Sequence, residues 1–402
     1  MEAQRLASDN ATGSTATEDD LAIRARAAFA IAKAHALAVD VEGRFPQEAF
    51  TEIRRQRLLG IMVPKALGGE GASIGEIVDV CYRIGQGCGS TGLIYAMHQV
   101  KMACVVRHTL GCAALENILR RVASEQLLLA SSTTEGQGGG NVRASEAAIV
   151  PEGDMVTLER KATVISYGAE ADGIVTTARR SADSPPGDQV LLVLLKSDYT
   201  LQWLQSWDTL GMRGTRSEGF TLRARAPAEQ VMPQPYERIH AQSMVPCAHL
   251  MWGAVWAGIA AAAVAKAQGF IRNAMRQADG QIPPGAAHFT QAVSSLRTLR
   301  GVLSAALRSY ETAMSDEKAL ASLEFQAMIT MTKIQASELA ATTVLGAMRA
   351  CGLSGYRNDS EFTIGRHLRD VLSAPIMINN ERILANLATP SLMTPLPTSI
   401  SA

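Results

Sequence analysis

Small hydroxyl residues and glycines cluster where a ligand could be held by side-chain hydroxyls and backbone N–H groups. Ser131, Thr133 and Thr134 follow an apolar run, and the glycine run 138–140 comes soon after them. Ser166 ends another short β-branched run. Hydroxyls and backbone N–H groups can stabilise a ligand that gains negative charge, and glycines let the backbone approach a ligand closely. Each residue taken singly is equally typical of a turn, so the cluster as a whole indicates a ligand site.

The composition of the chain excludes several function classes. It has 402 residues, 47% of them apolar, and 38 basic side chains balance 38 acidic ones, so the formal net charge is zero. At roughly 100–200 residues per domain, the chain has room for two or three domains. There is no excess of Lys and Arg to displace counterions, so a nucleic-acid partner is not expected. Six cysteines without a CxxC pair are typical of reduced thiols in a cytoplasmic protein.

The longest apolar stretch, Leu250–Ala265, predicts a buried helix and no membrane span. It is Ala-rich, shorter than the roughly 20 residues that a bilayer requires, and followed by Lys266. The sequence also shows no metal-ligand cluster, nucleophile elbow, P-loop or dinucleotide-binding fingerprint. The glycine-rich stretch 136–140 lacks the lysine and the strand–helix order that those nucleotide motifs need.

Hydrophobic spacing changes twice along the chain and divides it into three parts. From 21 to 126, apolar residues recur at three- and four-residue spacing, which predicts helices. Between 127 and 235, short apolar runs alternate with Gly, Pro, Asp and Ser, the pattern of a small antiparallel barrel or sandwich. From 236 to 390 the helical pattern returns in four long segments, as in a packed bundle. Outside these parts lie a disordered leader, 1–20, and a loose tail, 391–402.

Five short motifs follow one another in an order that resembles the acyl-CoA dehydrogenase family. They are a Pro-x-x-x-Gly-Gly turn at 64–69, a Thr-Glu and glycine-rich loop at 134–141, a strand and turn at 161–172, a Gly-Met-Arg-Gly-Thr segment at 211–215, and Gly-Leu-Ser-Gly-Tyr at 352–356 followed by Arg369-Asp370. Each motif is weak alone, but together they span about residues 21–390. The resemblance implies an α+β fold with an N-terminal helical domain, a central β domain and a C-terminal four-helix bundle.

The same resemblance implies a flavin cofactor, FAD or alternatively FMN, whose ring accepts a hydride. The residues carried over to flavin contact are Ser131, Thr133, Thr134, Gly139, Gly140, Val164, Ile165, Ser166, Gly352 and Asn380. Arg276 is expected either to reach the cofactor pyrophosphate of a neighbouring subunit or to be a solvated helix-end residue, because Asp279 stands where the family has Phe. The residues expected at the substrate are His98, Gly140 and Trp252.

The family's usual positions for a catalytic base hold residues that cannot accept a proton. Counting from the Arg-Asp pair places Ile378 where the family has Glu, and the alternative position on a C-terminal helix holds Ala248. Two candidates remain. His249 lies beside the alternative position, and Glu381 lies three residues beyond the usual one, on the same face of a helix predicted over 360–387. The sequence leaves open whether either of them, or no protein base, acts.

The resemblance implies an oxidoreductase that dehydrogenates an acyl thioester, carried by coenzyme A or a carrier protein, as in fatty acid metabolism. The missing base keeps a second function open, a monooxygenase of the same fold that uses reduced flavin and O2. A third alternative is a catalytically silent homologue that binds flavin or an acyl group. Expected partners are the acyl thioester, an electron-transfer partner or flavin reductase, and further copies of the chain in a homotetramer or homodimer.

Overall fold

The computed structural model describes residues 14–109, 111–135 and 144–393. Most of the predicted leader and of the predicted tail, together with Gly139 and Gly140, lie outside the described residues.

The first part of the chain folds into helices, as the apolar spacing predicted. They are α1 (Ser14–Glu42), α2 (Gln47–Arg55), α3 (Ile74–Gly87), α4 (Gly89–Thr109) and α5 (Ala113–Glu125). α1 begins within the stretch predicted as a leader. A capping box starts α3, in which the Ser73 hydroxyl accepts the Glu76 N–H and the Glu76 carboxylate accepts the Ser73 N–H. α4 is buried along nearly its whole length, because it lies between the β domain and the C-terminal helices.

The strands described in the middle part form two sheets. They are β1 (Leu129–Ser132), β2 (Val150–Glu152), β3 (Met155–Ile165), β4 (Gly173–Arg179), β5 (Gln189–Leu195), β6 (Tyr199–Gln205) and β7 (Glu218–Pro227). One sheet has the order β1-β4-β5 and the other the order β2-β3-β7-β6. The second sheet is antiparallel throughout, but β1 runs parallel to β4. The prediction of a wholly antiparallel domain is therefore wrong for this pair, whose parallel pairing requires the long connection between β1 and β4.

The last part of the chain is helical again. α6 (Tyr236–Ile239) continues through a π-helical turn at 240–244 into α7 (Val245–Gln277). The helices that follow are α8 (Ala286–Ala313), α9 (Glu317–Ala321), α10 (Leu323–Cys351), α11 (Leu353–Tyr356), α12 (Gly365–Val371) and α13 (Asn380–Met393). α7, α8 and α10 pack against one another, and α3 and α4 pack against α7. The predicted α+β architecture, with helices on either side of a β domain, is confirmed.

One continuous helical segment, Tyr236–Gln277, is long and apolar enough to cross a membrane by length and composition alone. Its most apolar window has a mean hydropathy of 1.5, but 83% of that window is buried inside the structure. Burial of this kind is what a core helix of a helical bundle shows, so the segment is weak evidence for a membrane span.

The single helix predicted over 360–387 is wrong. α12 ends at Val371, and residues 372–379 form turns before α13 begins. Pro375 lies within these turns and lacks the N–H that a continuing helix would donate. Ile378 has a φ of +50°, in the left-handed region that helices do not use.

Two neighbouring residues of α12 connect the three parts of the chain. The Arg369 guanidinium forms a two-bond ion pair with Asp40 of α1 and donates to the Leu210 carbonyl oxygen at 3.0 Å. The buried Asp370 carboxylate accepts the Met212 N–H at 2.8 Å. Gly211 lies so close to this helix that a Cβ there would stand 2.1 Å from the Arg369 carbonyl oxygen. Position 211 therefore has room for glycine only.

We predict that Gly211→Ala lowers the thermal unfolding midpoint, because the new methyl group forces the loop away from α12. Overpacking of this kind typically costs about 1–3 kcal/mol. Gly301→Ala is the matched control, since this exposed glycine of α8 has nothing within 4 Å of an added Cβ. That variant should be as stable as the parent or more stable, because Ala is the better helix former. Equal midpoints for Gly211→Ala and the parent would contradict the close approach.

Candidate functional site

Hydroxyl side chains of the β domain line a cavity of about 570 Å³, which we name the hydroxyl cavity. Its hydroxyl residues from the β domain are Ser131, Thr133, Thr134, Thr163, Ser166, Thr209, Thr215 and Ser217, and Ser373 adds one from the turns after α12. Apolar side chains complete the wall, among them Val164, Leu93, Leu372, Ile376 and Met377. The indole N–H of Trp252, which also lines this cavity, is buried without a hydrogen-bond partner among the described residues. A flat ring with polar edges and apolar faces, such as the flavin ring, fits this lining.

A chain of hydrogen-bonded hydroxyl groups determines whether the Ser166 hydroxyl can donate or accept a hydrogen bond in the hydroxyl cavity. Thr215 Oγ1 donates to the Met212 carbonyl oxygen at 2.8 Å, so it must accept from Ser217 Oγ, 2.8 Å away. Ser217 Oγ then accepts from Ser166 Oγ at 2.7 Å. The Ser166 proton is used within this chain, and its oxygen lone pairs remain for a donor in the cavity.

A second cavity of about 310 Å³ adjoins the first, and we name it the apolar cavity. Its apolar residues include Val100, Met244, Val245, Ala248, Leu323 and Ala327. Met97, Ser131, Thr133, Trp252 and Ile378 line both cavities and so form the divide between them. The sequence placed Ser131 and Thr133 at the flavin and Trp252 at the substrate, and the structure brings all three together at this divide.

His249 lies on the wall of the apolar cavity, as an acid–base candidate should. Its Nδ1–H donates to the Ile329 carbonyl oxygen at 3.0 Å, which leaves Nε2 as an acceptor. Burial, assisted by the nearby charge of Lys333, lowers the pKa of His249 to about 4. The ring is therefore neutral at pH 7 and can accept a proton only weakly.

The structure does not bring Glu381 or Asn380 into either cavity. Glu381 is exposed in the first turn of α13, and the argument that put it on one helical face with Ile378 fails because 372–379 is not helical. Asn380 is buried in the bundle, where its carbonyl oxygen accepts from Lys333 Nζ at 2.6 Å and its amide donates to Glu338 at 2.8 Å. Both residues are therefore corrected to positions away from the cavity walls.

His98 is also corrected, from a residue of the substrate cavity to one that holds secondary structure together. Its Nδ1 accepts the Leu129 N–H of β1 at 3.0 Å, so its Nε2–H donates to the Leu59 carbonyl oxygen at 2.9 Å. Both ring nitrogens are used, and the side chain lines neither cavity. Burial lowers the pKa of His98 to about 4, which keeps it neutral in this role.

The remaining residues predicted at the flavin fall into two groups, those that line the hydroxyl cavity and those that do not. Thr134, Val164 and Ser166 line the hydroxyl cavity, whereas the Ile165 side chain points into the core between the last two of these. Gly352 is exposed at the end of α10, and Arg276 is exposed near the end of α7, where it donates to Asn273 at 2.7 Å. Neither residue lines the hydroxyl cavity or the apolar cavity.

Glu135 is the one carboxylate that lines either cavity among the described residues. Its oxygens accept from the Ser145 hydroxyl and from the N–H groups of Glu146 and Ala147, and one lies 3.5 Å from a guanidinium nitrogen of Arg160. The carboxylate is thus held by four donor groups of the β domain, which gives it a structural role.

Sequence reasoning missed Lys101, whose side chain lines the apolar cavity. The signal was available, because Lys101 lies one helical turn after Met97 on a helix whose other residues are mostly apolar. A lysine on such a face is unusual and points to a buried polar role.

We predict that acid destabilises the protein between about pH 6.5 and pH 4 in part through His98. The folded-state pKa of His98 is lowered, so the unfolded chain binds the proton first; its contribution to stability is complete above pH 6.5 and is lost as the pH falls toward 4. His98→Asn should lower the thermal midpoint at pH 7 but make it fall less steeply with acid. An unchanged slope would show that folding does not lower the pKa of His98.

We also predict that Ser166→Ala weakens flavin retention, because the ring loses the acceptor that this hydroxyl chain offers. Loss of a hydrogen bond to a buried or charged group typically costs roughly 1–3 kcal/mol, which a titration of the flavin-free protein measures. Ser197→Ala is the control, since it removes an exposed hydroxyl of the same domain that donates to Asp198 at 3.1 Å. Equal flavin affinity in the parent and Ser166→Ala would place Ser166 away from the ring.

Comparison with known proteins finds similar sequences. Residues 17–126 match the acyl-CoA dehydrogenase N-terminal domain. The chain is 24% identical over 344 residues to a probable acyl-CoA dehydrogenase, YngJ of Bacillus subtilis (strain 168), over 84% of this chain and 87% of that protein.

Two solved structures share the fold. TdsC from Paenibacillus sp. A11-2, in complex with FMN and indole, is 18% identical with a TM-score of 0.81 over 95% of this chain and 99% of that one. A nitrososynthase from Micromonospora carbonacea var. africana is 21% identical with a TM-score of 0.78 over 94% and 96%. By its N-terminal domain, its relatives and its fold, the chain is similar to the acyl-CoA dehydrogenases, a family of flavin-dependent oxidoreductases.

Proposed function

We propose that this protein is a flavin-dependent monooxygenase that transfers one oxygen atom of O2 to an apolar ring compound. The observation that carries the proposal is the lining of the apolar cavity, which holds no carboxylate among the described residues. When bound in its reduced form, a flavin gives two electrons to O2, so that one oxygen atom enters the substrate and the other leaves as water.

Dehydrogenation of a thioester needs a base that touches the substrate carbon. Ile378 and Ala248, at the two usual base positions, present only hydrocarbon to the cavity. Glu381 is exposed, and the Glu135 carboxylate is held by its four donor groups. Oxygen transfer to a ring does not depend on such a carboxylate, so it suits this lining better.

The residues of the chain would orient the reactants and exclude water. Ser166 would accept from a donor of the flavin ring, and Trp252 would donate its unpartnered indole N–H to an acceptor in the hydroxyl cavity. Met97 and Ile378 place apolar groups at the divide, where water would otherwise compete with the substrate. These ring contacts serve FAD and FMN alike, so either form is compatible with the proposal.

The solved structures of similar fold support this choice. TdsC is a dibenzothiophene monooxygenase and has been seen with FMN and with indole. A cavity of about 310 Å³ beside Trp252 has the size and character for a ring compound of that class. The reduced flavin would come from a separate reductase, which is the partner that this reaction requires.

A second candidate function is dehydrogenation of an acyl thioester with His249 as the base. The neutral His249 ring lines the apolar cavity with Nε2 as an acceptor, and the relative YngJ is a probable acyl-CoA dehydrogenase. Because the pKa of His249 is lowered to about 4, such a base would stay unprotonated and active at pH 6.5.

The two functions are separated by two reactions of the flavin-loaded protein. Mixed anaerobically with a panel of acyl-CoAs, its flavin absorbance should not bleach. Supplied with reduced FMN or FAD, ¹⁸O₂ and indole, it should give a product that carries one ¹⁸O atom by mass spectrometry. Ala248→Phe should abolish this product while the flavin stays bound, because the new ring fills the apolar cavity. Ala321→Phe is the matched control, because it adds the same ring at an exposed position.

Rapid bleaching by a thioester would overturn the proposal. If His249→Ala then slowed the bleaching by about 10²–10⁴-fold, the protein would be a dehydrogenase with a histidine base. Bleaching as fast in His249→Ala as in the parent would exclude His249 as the base.

A further inference from the structure

Lys101 is a buried cation that has no carboxylate partner among the described residues. Its side chain is 2% exposed, and its ammonium lies 3.0 Å from the Met244 sulfur. Cys104 is also near, but burial raises the pKa of its thiol to about 12, so it carries no compensating charge. A buried charge is costly unless it is paired, which makes this lysine exceptional.

Lys333 shows how the same protein treats a buried lysine elsewhere. Its side chain is 0% exposed, but its ammonium donates to Asn380 at 2.6 Å, and the same Asn380 donates to the Glu338 carboxylate. Lys333 therefore belongs to a closed polar network that ends in a negative charge. Lys101 has no such network among the described residues, and unlike Lys333 it lines the apolar cavity.

The rest of the wall offers Lys101 no negative charge either. The other titratable groups of the described lining are Tyr236, His240, His249 and Arg382, none of which is an anion at pH 7. Burial lowers the pKa of Lys101 to about 8, so the ammonium is mostly charged at pH 7. The missing counter-ion therefore has to come from what occupies the cavity.

We propose that the apolar cavity binds an organic acid, a ring compound whose single carboxylate pairs with the Lys101 ammonium. This inference rests on the proposed function, for which it names the substrate class. Bulky apolar residues around the lysine, such as Val100, Met244 and Val245, would contact the ring body.

The position of Lys101 also orients the acid. Met97 lies at the divide between the two cavities, and Lys101 lies four residues further along α4, which is about 6 Å along a helix axis. A carboxylate at Lys101 would therefore direct the opposite end of the ring toward the hydroxyl cavity. Oxygen transfer would occur at the ring position distal to the carboxylate.

The test compares two probes of equal shape, naphthalene-2-carboxylate and naphthalene-2-carboxamide. Binding to the flavin-loaded protein is measured at pH 7 by titration calorimetry. The carboxylate should bind about ten- to hundredfold more tightly than the amide, as expected for a hydrogen bond to a charged group. Lys101→Met should remove this preference by weakening the carboxylate only, and Lys101→Arg should keep it. Lys333→Met is the matched control and should also keep it.

Equal binding of the two probes to the parent, or failure of both to bind, would overturn the inference without the need for any variant. A preference that survives in Lys101→Met would assign the charge to another residue and also overturn it. The binding test needs no turnover, so its outcome is separate from that of the proposed function. A charge preference without ¹⁸O transfer would remove the monooxygenase alone, and ¹⁸O transfer to neutral rings without a charge preference would remove the organic-acid inference alone.

Discussion

The site depends on the junction that α12 makes between three parts of the chain. Arg369 pairs with Asp40 of the first helix, and Asp370 holds the backbone of Met212 in the β domain. Burial raises the pKa of Asp370, yet its nearby cations and the Met212 N–H act in the opposite direction. Because the loop beside Gly211 and the turns after α12 both line the hydroxyl cavity, that cavity exists only while this junction holds.

The turns that follow α12 form part of the wall of the hydroxyl cavity. If α12 continued as a helix past Val371, successive side chains would point in different directions around the helix axis. Only some of them would then face the β domain. Pro375 and the left-handed Ile378 end that periodicity. As a result Ile376, Met377 and Ile378, three consecutive residues, all line the hydroxyl cavity. The position that usually supplies a base is thus occupied by Ile378, which is part of an apolar wall.

The sequence predicted those features that local pattern determines. The order of helical and β parts follows from hydrophobic spacing, and Ser166 became a candidate because the motif at 161–172 that holds it lies in order with the others. The parallel pairing of β1 with β4 was missed because strand partners are distant in sequence. His98 was misplaced because its role depends on two backbone groups, one of them 39 residues away. Glu381 was misplaced because one proline changed the helical register.

The chemistry of this protein depends on few positions within an architecture that the fold supplies. The divide between the cavities takes Met97 from α4, Trp252 from α7 and Ile378 from the turns after α12. Ser131 of β1 and Thr133, just after that strand, complete it. These elements are held by packing that would tolerate other side chains at the divide, so the frame does not fix the reaction. What fixes it is which side chains face the substrate. Both usual base positions hold hydrocarbon side chains, and Lys101 lies one helical turn beyond Met97 on α4. Under the proposed function, these side chains would serve recognition of a charged substrate instead of proton removal.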